Sequence, residues 1–188
     1  MDQNKVESLV RELLREFGED PERPGLLETP RRVATALAML TSGYSADLQQ
    51  IINHAKFEQQ DNSMIIVRDI EIYSLCEHHL LPFFGRCHIG YIPKKMALGV
   101  SKLARLADVF SRRVQMQERI TEQLANAIMR VIEPEGVGVI IEARHLCMMM
   151  RGVEKQQATM TTSVMLGSFR SSHSTRTEFL SLIGRPRM

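Results

Sequence analysis

Val6, Leu9, Val10, Leu13, Leu14 and Phe17 recur at helical spacing, and Gly18 follows as a C-terminal stop before the turn at residues 21–25. A second amphipathic helix is expected from Thr29-Pro30, a capping residue followed by proline at the first helical position, with Val33, Leu37 and Leu40 turned inward. A short helical piece is expected around Leu48, Ile51 and Ile52. The pattern then changes period. Residues 64–73 are rich in β-branched side chains, with Ile66, Ile70 and Ile72 on one face and Val67, Asp69 and Glu71 on the other, which predicts a strand. Residues 85–93 alternate likewise, Cys87, Ile89 and Tyr91 inward as core, Arg86 and an exposed His88 outward, until Pro93 ends the run.

Two helical stripes follow, one of Leu103, Leu106, Ala107 and Phe110, the other of Ile120, Leu124, Ala127, Ile128 and Val131, stopped by Pro134 and Gly136. Residues 137–143 and the threonine-rich residues 157–165 read as two more strands, and a Thr175-Arg176-Thr177-Glu178 capping box opens a last helix. This order predicts an α+β fold, helices packed on an antiparallel sheet. Residues 1–62 form an N-terminal helical region in this reading, and residues 63–188 a catalytic unit.

The chain has 188 residues, 44% hydrophobic and 24% charged, ordinary values for one globular core. A net charge of +2 is too small for a nucleic-acid binder, so any anion site is local. No apolar run approaches the roughly 18 residues of a membrane helix, and the N-terminus lacks an apolar signal core, so the expected location is the cytoplasm. Three cysteines without such a signal argue against a disulfide framework and for thiols used as ligands or as small core residues.

Cys76-Glu77-His78-His79 puts a thiolate and an imidazole three residues apart between two strands, close enough to chelate one ion. Cys147, near His145 at the end of another strand, supplies a third ligand, and no second pair at short spacing completes a structural site. Three protein ligands leave a fourth position for water, whose pKa a zinc ion lowers to about 7. Two sulfurs and a nitrogen favour zinc over magnesium or calcium. His78 and His145 each lie within two residues of a ligand, placed to move protons or to orient the ligands.

Ser101, Lys102 and Arg105 open a helix after Gly99, where a phosphate would meet the helix N-terminus and two cations; the alternative is a solvated basic helix end. Arg151, four residues after Cys147, brings another guanidinium towards the metal ligands. A Walker A motif is absent, because Tyr91-Ile92 stands where lysine and serine or threonine are required. Gln117-Glu118 begins a helix with an amide and a carboxylate able to complement a guanine edge.

The blocks Ser74-Leu75-Cys76-Glu77-His78-His79, Gly99-Val100-Ser101-Lys102-Leu103-Ala104-Arg105, Gln117-Glu118-Arg119 and His145-Leu146-Cys147-Met148-Met149-Met150-Arg151-Gly152 resemble, in order, the signatures of GTP cyclohydrolase I. Thr29-Pro30-Arg31-Arg32 and Thr175-Arg176-Thr177-Glu178-Phe179-Leu180 extend the resemblance over nearly the whole chain. It implies a tunnelling fold, a four-stranded antiparallel sheet with two helices on one face plus N-terminal helices, in a homodecamer of two stacked five-subunit rings with active sites between subunits. It also implies one zinc ion per subunit on Cys76, His79 and Cys147, with proton transfer by His78 and His145. Glu118 with Gln117 would hold the guanine, and Lys102, Arg105 and Arg151 the triphosphate. Ser101 would assist near the ribose, and Arg32 would add a phosphate contact from a neighbouring subunit. The implied reaction converts GTP and water to 7,8-dihydroneopterin triphosphate and formate, the first step of folate or tetrahydrobiopterin synthesis.

Three rivals are weighed against this. A nitrile reductase of the same fold would use a nucleophilic cysteine and NADPH, and the histidine pair beside Cys76 argues against it. A zinc nucleoside deaminase would carry His-x-Glu and Pro-Cys-x-x-Cys, which are absent. A zinc-stabilised ring that binds nucleotide without turnover would not need the spare histidines.

Overall fold

The computed structural model describes residues 1–52, 55–59 and 61–184. Two compact units divide the chain, Met1–Ser42 and Gly43–Met188. In the first, α1 (Gln3–Glu16) starts at Asp2, whose carboxylate accepts the Lys5 amide, and α2 (Thr29–Leu40) packs against it. Thr29 is already helical and Glu28 precedes it without a side-chain cap, so the capping role expected of Thr29 is not used; Pro30 sits in the first turn, where its missing N–H costs nothing.

The second unit runs α3 (Leu48–Ile52), β1 (Lys56–Glu58), β2 (Ile65–Cys76), β3 (Pro82–Ile92), β4 (Met96–Leu98), α4 (Val100–Ser111), β5 (Val114–Gln115) and α5 (Gln117–Ile132). It continues through β6 (Gly136–His145), α6 (Leu146–Met149), β7 (Met160–Gly167), α7 (Ser168–Ser171) and α8 (His173–Ile183). The four expected strands are antiparallel neighbours in the order β2-β3-β6-β7. A fifth, β5, adds a two-residue parallel pairing beside Leu75 and Cys76, while β1 and β4 make a separate ribbon.

One face of the sheet carries the main core, where Leu103 and Leu106 of α4 and Leu124 and Ile128 of α5 are fully buried with Ile72, Ile89, Tyr91, Val139 and Ile141. The other face is covered at one end by Phe169 and Phe179, packed edge to face at 5.4 Å over Ile66 and Ile140. Gly90 and its cross-strand partner Gly138 make that cover possible, since a Cβ on either would come within 2.7 Å of a phenylalanine ring carbon.

Two expectations are corrected by one irregularity. The β2–β3 register shifts between Val67 and Ile70, and Asp69 takes a left-handed φ of 60°. The extra residue reverses the alternation, so Val67 joins Ile70 and Ile72 against the main core, while Ile66 faces the phenylalanines. It also aims the Asp69 amide at His88, whose Nδ1 accepts it at 3.1 Å. His88, expected to be exposed, is therefore buried at 6% exposure. The last helix begins before its expected box: Ser172 caps α8 by accepting the Thr175 amide.

Candidate active site

The end of β2 folds directly into a tight turn. Cys76 N–H donates to Leu81 O at 2.9 Å and Cys76 O accepts the Leu80 amide at 2.8 Å, with Leu80 left-handed at φ 54°. The turn turns His79 back towards the buried Cys76 thiol, whose Sγ lies 3.9 Å from His79 Nδ1 and 3.9 Å from His78 Nδ1. Cys147 arrives from the far side on α6, just past the end of β6, because Phe83 pairs with His145 across the β3–β6 ladder.

The ligand atoms of Cys76, His79 and Cys147 all lie within 4.8 Å of one another. A tetrahedral zinc ion, with Zn–S near 2.3 Å and Zn–N near 2.0 Å, separates its ligands by about 3.6–3.8 Å, so this group fits one ion after a small contraction. The thiols fit as well. Burial pushes the Cys147 thiol pKa up and the neighbouring Cys76 adds to the rise, a cost to its thiolate that a bound dication would offset. Arg151 reaches this cluster too, with Nη1 3.2 Å from His79 Nε2.

His145 is held from two sides. Its ring stacks on Phe83 at 4.4 Å and 6°, and its Nε2 lies 2.9 Å from Gln117 Oε1. The Gln117 amide nitrogen donates to Ile141 O and Met160 O, both at 3.0 Å, and to Thr162 Oγ1 at 3.1 Å. Two carbonyl acceptors fix which end of the amide is nitrogen, so Oε1 faces His145 and the imidazole proton sits on Nε2. Gln117, expected beside the base, is thus buried at 1% exposure with its side chain fully engaged by the protein. Burial holds the His145 pKa below its ordinary value, opposed by the nearby Glu118 carboxylate, which is exposed at the start of α5.

Cys76, His78, His79, His145, Cys147, Arg151, Gln117 and Glu118 therefore converge on one end of the sheet. Ser101, Lys102 and Arg105 do not join them. They lie in the first turns of α4, which begins beside the other end: Gly99 N–H donates to Ala55 O, and Leu98 N–H to the hydroxyl of Tyr91, whose strand partner is Ile65. The 12-residue α4 spans about 18 Å before the chain reaches the Val114–Gln115 strand beside Cys76. Arg32 lies exposed on α2 of the first unit.

Sequence reasoning did not single out Phe83, Glu77 or Arg119. Phe83 lies two residues before the strand expected at residues 85–93 and joins it because β3 already begins at Pro82. Arg119 donates to Glu77 at 2.6 Å, a pairing across 42 residues that no local pattern announces.

An antiparallel α+β sheet ending in a three-ligand Cys-His-Cys group with spare imidazoles beside it has the make-up of a metal-assisted hydrolase. The GTP cyclohydrolase I family profile matches residues 6–184. GTP cyclohydrolase 1 of Leptospira biflexa is 57% identical over 178 residues, covering 95% of this chain and 97% of the relative. The enzymes of that name from Methylococcus capsulatus and Coxiella burnetii are each 56% identical over 180 residues, covering 96% of this chain and 97% and 98% of theirs. The chain belongs to the GTP cyclohydrolase I family and catalyses the conversion of GTP to 7,8-dihydroneopterin triphosphate. The tunnelling fold expected above comes with that membership. Among the described residues no helix is long and apolar enough to cross a membrane.

Proposed function

We propose that Cys76, His79 and Cys147 hold one zinc ion per subunit and that His78 and His145 move the protons of guanine ring opening. The convergence of the three ligand atoms within 4.8 Å, with imidazoles on both flanks, carries the reading. Bound with an open position, zinc supplies a nucleophilic water near neutral pH.

Ring opening at C8 requires a proton at the departing ring nitrogen. His145 is suited to relay this proton at Nδ1: Gln117 keeps the other proton on Nε2, so Nδ1 is free to take one from the attacking water and pass it to the ring nitrogen, while Phe83 fixes the ring plane. His78, exposed on the ligand turn, is the second carrier. The Glu118 carboxylate accepts from the guanine N–H and exocyclic amine, while Gln117 serves the base indirectly, by orienting His145.

Arg151 meets the triphosphate from the metal side. Lys102 and Arg105, with Ser101 near the ribose, come from a neighbouring subunit, since α4 starts a helix length away from the ligands of its own chain. Arg32 adds a phosphate contact from a neighbour. This division favours the stacked homodecamer with sites between subunits, working in the cytoplasm, where GTP is available.

The test is to load the protein with zinc, count zinc per subunit, supply GTP, and follow formate together with the pterin fluorescence that appears after oxidation. One zinc per subunit with equimolar formate and pterin is expected. A metal-replete oligomer that releases no formate overturns the reading.

A further inference from the structure

Arg119 follows Gln117 and Glu118 in the first turn of α5, and Glu77 separates two metal-site residues, Cys76 and His78. Arg119 Nη1 donates to Glu77 Oε2 at 2.6 Å, and the pairing holds the Glu77 carboxyl below its usual pKa. The backbone repeats the attachment, with Glu77 N–H donating to Gln115 O at 3.0 Å. Gln115 is itself buried, its amide nitrogen donating to Phe110 O and to Gln123 Oε1. The turn that carries Cys76 and His79 is therefore fastened twice to the β5–α5 junction.

The same helical turn grips the other ligand-bearing segment. Gln117 bonds the Ile141 carbonyl of β6 and the imidazole of His145, two residues before Cys147. Residues 117 and 119 thus point in different directions from one turn, each towards one half of the metal site. We infer that the Glu77–Arg119 pair is a positioning pair that sets the distance between the two ligand-bearing segments, with the start of α5 as the rigid spacer. This rests on the zinc reading given above.

The effect falls on ligand geometry more than on folding. The Arg119 and Glu77 side chains are 39% and 29% exposed, and an ion pair that open to water adds little to stability. Removing a group that orients metal ligands, by contrast, typically weakens binding by about 10–100-fold.

The experiment measures zinc affinity by competition with a chromophoric chelator, the visible spectrum of the cobalt(II)-substituted protein, and the unfolding midpoint, for the wild-type chain and for Arg119→Met, Arg119→Lys and Glu77→Gln. Arg119→Met is expected to weaken zinc binding by about 10–100-fold and to shift the cobalt bands, with the unfolding midpoint of the metal-free protein nearly unchanged. Arg119→Lys, which keeps the charge, should recover part of the affinity. Wild-type affinity and wild-type cobalt bands in Arg119→Met overturn the inference. Should that variant fail to fold, unchanged zinc affinity in the near-isosteric Glu77→Gln overturns it equally. A wild-type chain that takes up no stoichiometric zinc defeats the zinc reading itself, an outcome distinct from variants that bind as the wild type does.

Discussion

Gln117 Oε1 accepts the His145 Nε2 proton at 2.9 Å, and both N–H groups of that amide are spent on Ile141, Met160 and Thr162. One buried side chain thereby joins α5, β6 and β7 and fixes the tautomer of an imidazole in the site. Gln117→Leu leaves two buried carbonyls with fewer donors and releases His145. Stability should fall by about 2–4 kcal/mol, the cost of stranding such groups. Turnover should fall at least about tenfold as general acid–base function is lost, with KM for GTP little changed. Urea unfolding and steady-state kinetics test this; a raised KM at constant kcat would return Gln117 to a base-reading role.

Glu118 is exposed, and Glu118→Gln should alter stability by less than about 0.5 kcal/mol. If the carboxylate accepts from the guanine amine, KM for GTP should rise by about 10–100-fold, the loss of one charge-assisted hydrogen bond. Preference for GTP over inosine triphosphate, which lacks that amine, should shrink with it. Unaltered discrimination between the two nucleotides would remove Glu118 from the base contact.

Cys147→Ser removes one of the three converging ligands. Zinc content and turnover should fall in parallel, and added zinc should no longer raise the melting temperature as it does when an ion binds only the folded chain. Metal analysis alongside calorimetry decides it, since full zinc retention would strike Cys147 from the ligand set.

The Asp69 amide donates to His88 Nδ1, a bond that requires that nitrogen unprotonated. Burial, chiefly, holds the His88 pKa below its ordinary 6.5, with Arg86 and Arg68 adding to the effect and Asp69 and Glu142 opposing it. Between the lowered folded value and 6.5 the unfolded chain binds more protons, so stability rises with pH. The contribution is complete above 6.5 and is lost as pH falls through the folded pKa. His145, shifted in the same direction, adds to the slope. Urea midpoints taken across this window should climb with pH, and His88→Asn, which keeps an acceptor for the Asp69 amide, should climb less steeply.

Lys102 and Cys147 belong to different ends of one subunit. Lys102→Ala and Cys147→Ser should each be nearly inactive, yet co-assembled at equal amounts they should regain about a quarter of wild-type activity, the share of interfaces that combine two intact halves in a symmetric ring. Mixed oligomers with no more activity than their parents would place both residues in a site built from one chain.

Much of the fold is readable from side-chain alternation because Ile72, Ile89, Tyr91, Val139 and Ile141 all turn to one buried face. The reading fails where a partner distant in sequence decides. β2 runs on through Cys76 because β5 pairs there, and Ile66 changes sides because of a bulge that no propensity marks. The site divides in the same way. Cys76 and His79 share one turn and are visible together, whereas Cys147, 68 residues beyond His79, enters through His145 and the resemblance of the surrounding block. Glu77 and Arg119 stay hidden because each looks like an ordinary charge until the turn and the helix are set side by side.

The three residues that open α5 face three ways, Gln117 into the protein, Glu118 to solvent and Arg119 to the ligand turn. Under the base-reading role proposed for Glu118, purine preference becomes a one-position problem for redesign: Glu118 is the residue to exchange for another base edge, whereas its neighbours on either side are anchored to the scaffold.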